Sequence, residues 1–328
     1  MNMKTFEIAT KKSKKKQLWK TVGLSTLGLL LITGATLKTL QILTANNGEK
    51  IYQEYELLSQ VAYPNIEYST YYYKATSLFA GAVHADRHKD LAGVPVAFGD
   101  YEYHYDWMGT YLDFSQDGPT YKGDIAYDRQ TWSKLPLFYN TEKIATDDFA
   151  TVPSQELSLV KEMSNQLVEV AITFDKKYSF GELQTMLPQN LKKNWYWIGT
   201  ASKKNTADFR IDQLFGFQGE ALKVYEPDSE LPIEAASWNP LTPMKKIAGQ
   251  YNHYLGEYAL VTDIQSFLDR FGDTDFTKKE EIDRLEFAGV ILTGRAEDFA
   301  QLEGKDWIYA SSIGASTLNQ PYYQLDFE

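Results

Sequence analysis

The chain has 328 residues, no cysteine and a formal net charge of −11 at pH 7. Its length suits about two domains of roughly 100–200 residues each. The apolar share of 43% is enough to build real cores, which excludes a disordered chain. The lack of cysteine excludes disulfides, thiolate metal sites and a cysteine nucleophile.

The N-terminal segment predicts a single transmembrane helix over residues 19–43. Residues 21–37 carry no charge, Trp19 can lie at the membrane interface, and Lys20 and Lys38 can reach outward from the hydrocarbon. Together they give the length of about 20 residues that hydrocarbon about 30 Å thick requires. A cleaved signal peptide is the alternative, but no A-x-A cleavage pattern follows the apolar run. We therefore expect an uncleaved single-pass anchor in the cell membrane.

The tail at residues 1–18 is rich in lysine and sets the expected orientation. Because basic residues favour the cytoplasmic side of a span, we expect the N-terminus inside and the C-terminal domains outside the cell. The tail is a candidate contact for anionic lipid or for a partner protein. The rest of the chain is strongly acidic, and repulsion from phosphates makes nucleic acid a poor partner. We name as the lysine cluster Lys11, Lys12, Lys14, Lys15 and Lys16.

Residues 44–150 are expected to form an extracytoplasmic domain rich in tyrosine and, between residues 52 and 139, in β-strands. The stretch NIEYSTYYYKA predicts one strand, and AGVPVAFGD predicts an irregular connection. Strict alternation predicts a further strand, with one face made of Tyr101, Tyr103, Tyr105 and Trp107. These rings are either the half-buried surface of a small β domain, which we favour, or a platform that stacks sugars or bases.

Residues 151–328 are expected to form an extracytoplasmic α+β domain of two β-α-β units, so that the whole chain is α+β. In the first unit, LVEVAITF precedes a short helix with a capping box at Ser179 and Glu182, and then NWYWIGTAS. In the second, FAGVILTG precedes the short helix RAEDFAQLEG and the strand DWIYASSIG. The two closing strands begin almost alike, which indicates a structural repeat. Helical spacing in ALVTDIQSFLDRFG predicts a helical insert between two ferredoxin-like halves.

The sequence contains no standard catalytic signature. G-x-S-x-G, G-x-G-x-x-G, a Walker loop and H-E-x-x-H are all absent, so we expect neither enzymatic activity nor a cofactor. His84 and His88, with Asp86 between them and His104 further on, would suit zinc if residues 84–88 were helical. The β-like surroundings favour surface histidines instead.

Two stretches carry a resemblance to a known family. VAITFDKKYSFGELQTMLPQNLKKNWYWIGT and FAGVILTGRAEDFAQLEGKDWIYASSIGAS resemble the C-terminal domain of sigma factor regulators, which are membrane-bound anti-sigma factors of extracytoplasmic-function sigma factors in Gram-positive bacteria. ATKKSKKKQLWKTVGLSTL, YPNIEYSTYYY and KDLAGVPVAFGDYEYHY resemble the partner N-terminal domain of that family. The resemblance implies an envelope-stress regulator whose exterior domains sense and whose cytoplasmic side controls a sigma factor.

The tail departs from what the resemblance implies. About 18 residues are too few for a folded inhibitory domain, since a core rarely closes without help below about 40 residues. Either the tail binds as a peptide that orders on contact, or a second membrane protein supplies the inhibitory part. Two other functions stay open. One is a module that binds cell-wall or surface polymer through its aromatic face, and the other is an exterior enzyme with two carboxylates about 5–10 Å apart.

Overall fold

The computed structural model describes residues 3–112, 119–123, 125–141, 152–201, 206, 210–223, 239–250 and 259–327. They form a long N-terminal helix, a β-rich part and a C-terminal part of mixed helix and strand, which confirms the predicted α+β class. The boundary expected near residue 150 lies outside the described residues, so the domain ranges stay predictions.

A single helix, α1, runs from Met3 to Val61, through the predicted tail and span and beyond them. Part of it is long and apolar enough to cross a membrane. Consecutive side chains there are exposed on all sides of the helix, as at Leu30, Leu31 and Ile32. The expectation of β structure from residue 52 was wrong, because the helix continues. Its last turns place apolar residues at helical spacing against the rest of the fold, namely Ile51, Tyr55, Leu58 and Val61.

The β-rich part is a five-stranded antiparallel sheet that packs against the end of α1. Four strands follow the order β1-β2-β4-β5, and β3 pairs with β2 as a hairpin. The expectation of an irregular connection in AGVPVAFGD was therefore wrong. The turn residues of the hairpin, Ala92 and Gly93, both have positive φ, as a tight hairpin turn requires. The strands are β1 (Glu67–Ser77), β2 (Ala80–Leu91), β3 (Val94–Ala97), β4 (Tyr101–Asp106) and β5 (Thr110–Leu112). A separate hairpin consists of β6 (Pro119–Lys122) and β7 (Ile125–Asp128).

The C-terminal part contains a second antiparallel sheet, in the order β10-β9-β11-β8-β12. In this order β11 lies between the two strands of the first β-α-β unit, and β8 lies between the two strands of the second. The units therefore interlock in one ferredoxin-like sheet, which corrects the expectation of two ferredoxin-like halves. The strands are β8 (Gln166–Ser179), β9 (Lys192–Trp197), β10 (Gly216–Gln218), β11 (Glu286–Arg295) and β12 (Ile308–Leu318).

Short helices connect these strands and cover the sheet. The capping box is confirmed, since the Ser179 side chain accepts from the Glu182 backbone N–H while the Glu182 carboxylate accepts from the Ser179 backbone N–H. The helix of the second unit is a 3-10 helix at Ala296–Leu302. The predicted insert is helical. In the described part of the chain, the α-helices after α1 are α2 (Leu157–Val160), α3 (Phe180–Met186), α4 (Leu241–Gln250), α5 (Ala259–Phe271) and α6 (Lys279–Ile282).

The first of the two repeated tryptophan strands is structural, as predicted. Trp195 and Trp197 lie on β9 and are 0% and 2% exposed. Phe138, from the N-terminal part, stacks on Trp197 with ring centroids 5.0 Å apart. Tyr196 is buried on the opposite face of the strand, so the sheet is covered on both sides. The expectation that Trp307 lies in a strand was wrong, because it lies in the turn before β12 and is only partly buried.

The N-terminal and C-terminal parts share one hydrophobic core. The end of α1 contacts β4 of the first sheet and also α4 and β10 of the C-terminal part. Strand β2 in turn contacts β8, β11 and β12. Tyr55 and Val61 of α1 therefore belong to the same buried cluster as Phe217 and Met244.

Candidate functional site

The lysine cluster lies on the first turns of α1, and all five side chains are exposed. Helical spacing places Lys11 beside Lys15 and Lys12 beside Lys16, with Lys14 on the adjoining surface. Such a surface can contact several anionic groups at once. Its role as a contact for lipid or protein stays a prediction.

A buried ion pair joins the two sheets. Lys89 on β2 donates from Nζ to Glu169 Oε2 on β8 at a distance of 2.6 Å. The two side chains are 1% and 0% exposed. Removing a charged side chain from water costs several kcal/mol per ion. Only a well-placed partner charge and further hydrogen bonds offset that cost. The pair therefore constrains how the sheets meet.

The second oxygen of Glu169 is also bonded. Oε1 accepts from Asn65 Nδ2 at 2.8 Å, while Oε2 accepts from the Ala315 backbone N–H at 2.9 Å. Gly314 approaches the carboxylate so closely that a Cβ at this position would overlap Oε2. The glycine in the SSIGAS stretch of β12 is thus required by the buried carboxylate.

Further polar side chains extend the ion pair into a network. Asn194 on β9 donates to Asn65 Oδ1 at 2.9 Å and to the Asp90 carbonyl at 3.0 Å. Thr293 on β11 donates to Asn194 Oδ1 at 2.6 Å and accepts from the Ala92 backbone N–H at 2.9 Å. We name as the junction network Asn65, Lys89, Asp90, Glu169, Asn194 and Thr293.

Lys192 lies at the edge of the junction network, between the network and solvent. It forms ion pairs with Asp90 and with Asp326 near the C-terminal end of the chain. Burial lowers the pKa of Lys192, but the hydrogen bonds to Asp326 and Asp90 outweigh burial and raise that pKa above its ordinary value. The lysine therefore stays charged and holds both carboxylates.

The junction network begins directly after α1. The helix ends at Val61, and Tyr63 and Asn65 follow with φ of 56° and 52°. Non-glycine residues rarely adopt positive φ, and such conformations persist only where surrounding contacts hold them. Here the Tyr63 backbone N–H donates to the Ile211 carbonyl at 3.2 Å, and the Asn65 side chain is fixed by Glu169 and Asn194. The exit of α1 is thus bonded to the C-terminal part of the fold.

The tyrosine-rich segment mainly packs α1 on the first sheet. Tyr52 of α1 stacks on Tyr71 of β1 with ring centroids 4.1 Å apart, and Tyr55 lies 4.1 Å from Tyr101 of β4. Burial raises the pKa of Tyr71, and the neighbouring Tyr52 adds to this effect. These rings fit the core interpretation. Tyr68, Tyr72 and Tyr73 of β1 are 40–45% exposed, so the stacking platform stays an open alternative.

The aromatic face predicted for the tyrosine-rich strand is confirmed only for the residues within β4. Tyr101 and Tyr105 are buried on the predicted face, and Tyr103 packs against the core beside them. Trp107 lies beyond the end of β4 and is 43% exposed, so its predicted place on that face was wrong.

The histidines lie in strands rather than on a helix. His84, Asp86 and His88 are all on β2, and His104 is on β4. Alternation along β2 puts His84, Asp86 and His88 on one face, because side chains two residues apart point the same way. The helical zinc arrangement therefore does not form.

The sequence carries a signal for the junction network in three polar residues of its apolar strands. Glu169 interrupts the apolar strand LVEVAITF, Thr293 lies within FAGVILTG, and Asn194 precedes WYW in β9. Polar residues are rarely fully buried unless they are paired. A polar residue inside a strand that is otherwise apolar indicates such a pairing, although its partner cannot be read from the strand itself.

Two protein-family models match separate parts of the chain. The one described as "Sigma factor regulator N-terminal" matches residues 8–96, and the one described as "Sigma factor regulator C-terminal" matches residues 160–315. The chain belongs to the sigma factor regulator family. This confirms the resemblance found in the sequence. No curated protein and no solved structure matches this regulator.

The junction network connects the two matched regions of the regulator. Asn65 and Lys89 lie in the N-terminal match, whereas Glu169 and Asn194 lie in the C-terminal match. The N-terminal match also includes the lysine cluster and the apolar part of α1. Family membership implies regulation like that of an anti-sigma factor and interaction with a sigma factor, and α1 indicates single-pass membrane anchoring.

Replacing Lys89 by methionine should lower the free energy of unfolding by about 3–5 kcal/mol, because it leaves the Glu169 carboxylate buried without its counter-charge. The double replacement Lys89→Met with Glu169→Gln should cost clearly less than the sum of the two single replacements. Denaturant unfolding of the full chain in detergent micelles, followed by tryptophan fluorescence, measures all three values.

The matched control is Lys161→Met. Lys161 pairs with Glu303 at 3.5 Å, but the two side chains are 58% and 36% exposed. Loss of this ion pair should therefore lower the free energy of unfolding by at most about 1 kcal/mol. Strict additivity of the Lys89 and Glu169 replacements would contradict a coupled buried pair.

Proposed function

We propose that the regulator is an envelope-stress sensor of a Gram-positive cell that controls an extracytoplasmic-function sigma factor through its N-terminal segment. The supporting observation is the continuity of α1, which runs unbroken from the lysine cluster to Val61, shortly before Asn65 of the junction network. The C-terminal region lies outside the cell in this proposal, and the lysine cluster lies in the cytoplasm. The proposal assigns no catalytic step to the regulator.

The length of α1 supports this arrangement. Its 59 residues extend about 90 Å at 1.5 Å per residue, about three times the hydrocarbon thickness of about 30 Å. About 55 Å separates Lys14 from Ile51, the first residue of the helix in the buried hydrophobic cluster. One helix can therefore reach from the cytoplasmic surface, across the membrane, into the folded core.

The charge distribution supports the orientation. The lysine cluster precedes the apolar stretch, and basic residues favour the cytoplasmic side. Near the membrane each lysine gains about 1 kcal/mol from anionic lipid. In the resting state lipid holds the cluster close to the inner surface, where it also presents several donors to an acidic protein surface. The sigma factor binds there directly or through a second membrane protein that supplies the inhibitory part.

The transmission step follows from the packing at the end of α1. Tyr55 and Val61 are buried among residues of both matched regions, and Asn65 belongs to the junction network. A change in how the two sheets meet must therefore displace or release the end of the helix. Since α1 is continuous, such a displacement reaches the lysine cluster as a tilt, rotation or shift along the helix axis.

Crosslinking in native membranes, followed by affinity capture, tests the contact. The full chain is compared with a variant lacking residues 1–17 and with a variant in which the five lysines of the cluster are glutamine. We expect a sigma factor, alone or together with a small membrane protein, from the full chain and a strong loss from both variants. Lys20 and Lys38 remain in place, and a C-terminal topology reporter confirms the same insertion. Equal recovery of a sigma factor from all three chains would contradict a role for the tail.

Transmission along α1 is tested by Asn46→Pro, with Asn46→Ala as the matched control. Asn46 is exposed just beyond the predicted span, and proline there removes a helical hydrogen bond and kinks α1 at a cost of about 3 kcal/mol. In the alanine background, Glu169→Gln should change the output of a sigma-dependent reporter, measured at equal protein level. In the proline background the same replacement should add no further change. An equal effect of Glu169→Gln in both backgrounds, or no effect in either, would overturn this route.

A further inference from the structure

Four ionisable side chains meet on the face of the first sheet that points away from α1. Strands β2 and β4 pair antiparallel, with His84 directly opposite Glu102. Continuing this register places Asp86 of β2 beside Asp100, which directly precedes β4. The alternate residues of β4, including Tyr101 and Tyr105, face α1 instead.

Three of these side chains can direct one atom each toward a common point. A ring nitrogen of His84, a carboxylate oxygen of Asp86 and a carboxylate oxygen of Asp100 all lie within 4.8 Å of one another. The His84 Nε2 atom is 3.0 Å from Asp86 Oδ1. Zinc bonds of about 2.0–2.2 Å place the ligand atoms of one ion roughly 3–4 Å apart, so only small side-chain movements separate this arrangement from coordination.

The fourth side chain orients the imidazole. Glu102 Oε2 lies 3.2 Å from His84 Nδ1, and Glu102 is itself held by Lys74 Nζ at 3.2 Å. With Nδ1 protonated and donating to Glu102, Nε2 is the nitrogen that faces Asp86. Histidines that bind metals commonly donate their other ring N–H to a carboxylate, which fixes the ring and strengthens the metal bond.

The remaining contacts position Asp86. Thr70 of β1, paired with Asp86 across the strands, donates its hydroxyl to Oδ2 and leaves Oδ1 toward His84. Carboxylates directly opposite on neighbouring strands destabilise a sheet by mutual repulsion. A cation between Asp86 and Asp100 would turn this repulsion into an attraction.

We propose that His84, Asp86 and Asp100 form a binding site for a divalent transition-metal ion, with Glu102 as the residue that positions His84. One imidazole and two carboxylates suit Zn²⁺ or Mn²⁺, with water completing the coordination. The spacing is that of a strand, with His84 and Asp86 two residues apart, and not the four-residue helical spacing considered in the sequence. The site links β2 to β4 and is independent of the proposed sigma factor contact.

The same sheet offers a matched control. His88 of β2 lies 3.7 Å from Glu67 of β1, so it has a carboxylate partner of its own away from Asp100. Replacing either member of this pair changes a histidine–carboxylate contact without touching the three proposed ligands.

The test is isothermal titration of the metal-stripped full chain in micelles, purified without a histidine tag, with ZnCl₂ and MnCl₂. We expect saturable binding of about one ion per chain for at least one of the two metals. Asp86→Asn and Asp100→Asn should each weaken binding at least tenfold, and Glu102→Gln should weaken it about 10–100-fold. His88→Gln and Glu67→Gln should leave the affinity unchanged.

These amide replacements keep the size of each side chain, and thermal unfolding without metal shows whether each variant stays folded. Absence of saturable binding by the wild-type chain would overturn the proposal. So would binding that survives both aspartate replacements, or an equal loss in His88→Gln. A loss in the aspartate variants with no change in Glu102→Gln would overturn the positioning role of Glu102.

Discussion

The ion pair between Lys89 and Glu169 is the constraint on which the rest of the structure depends. Both side chains are fully buried, so each charge must find the other, and it can do so only when β2 docks on β8. An apolar contact would tolerate small shifts between the sheets, whereas a hydrogen-bonded pair with Asn65 and Ala315 on the same carboxylate does not. The two family regions therefore meet in one arrangement.

In the proposed function, this arrangement gives the N-terminal helix a mechanical role. Tyr63 and Asn65 adopt left-handed conformations between the end of α1 and β1, and contacts from the C-terminal region hold both. A membrane helix attached to a fold by a free linker would not respond to the state of that fold. Here the helix is packed on one sheet and bonded to the other, so in the proposed function a loosened junction network would change the position of the helix.

Local patterns predicted much of the fold, and tertiary contacts account for what they did not predict. The apolar stretch of α1, the strand LVEVAITF and the capping box at Ser179 depend on neighbours in sequence and were recognised. The sequence pattern did not predict that α1 continues to Val61, because the tyrosines at the end of the helix resemble those of the strands that follow. The interlocked strand order and the pairing of Lys89 with Glu169 depend on contacts between residues far apart in the chain, 80 positions for this pair. The periodicity of a single strand does not predict such contacts.

We expect the junction network to make the two family regions unfold as one unit. Native-state hydrogen exchange of the full chain in micelles, read by mass spectrometry, tests it by comparing wild type with Glu169→Gln. Peptides from β2 and β8 should lose protection together and by a similar factor, about 100-fold or more for a loss of roughly 3 kcal/mol in stability. Loss of protection confined to β8, with β2 unchanged, would contradict it.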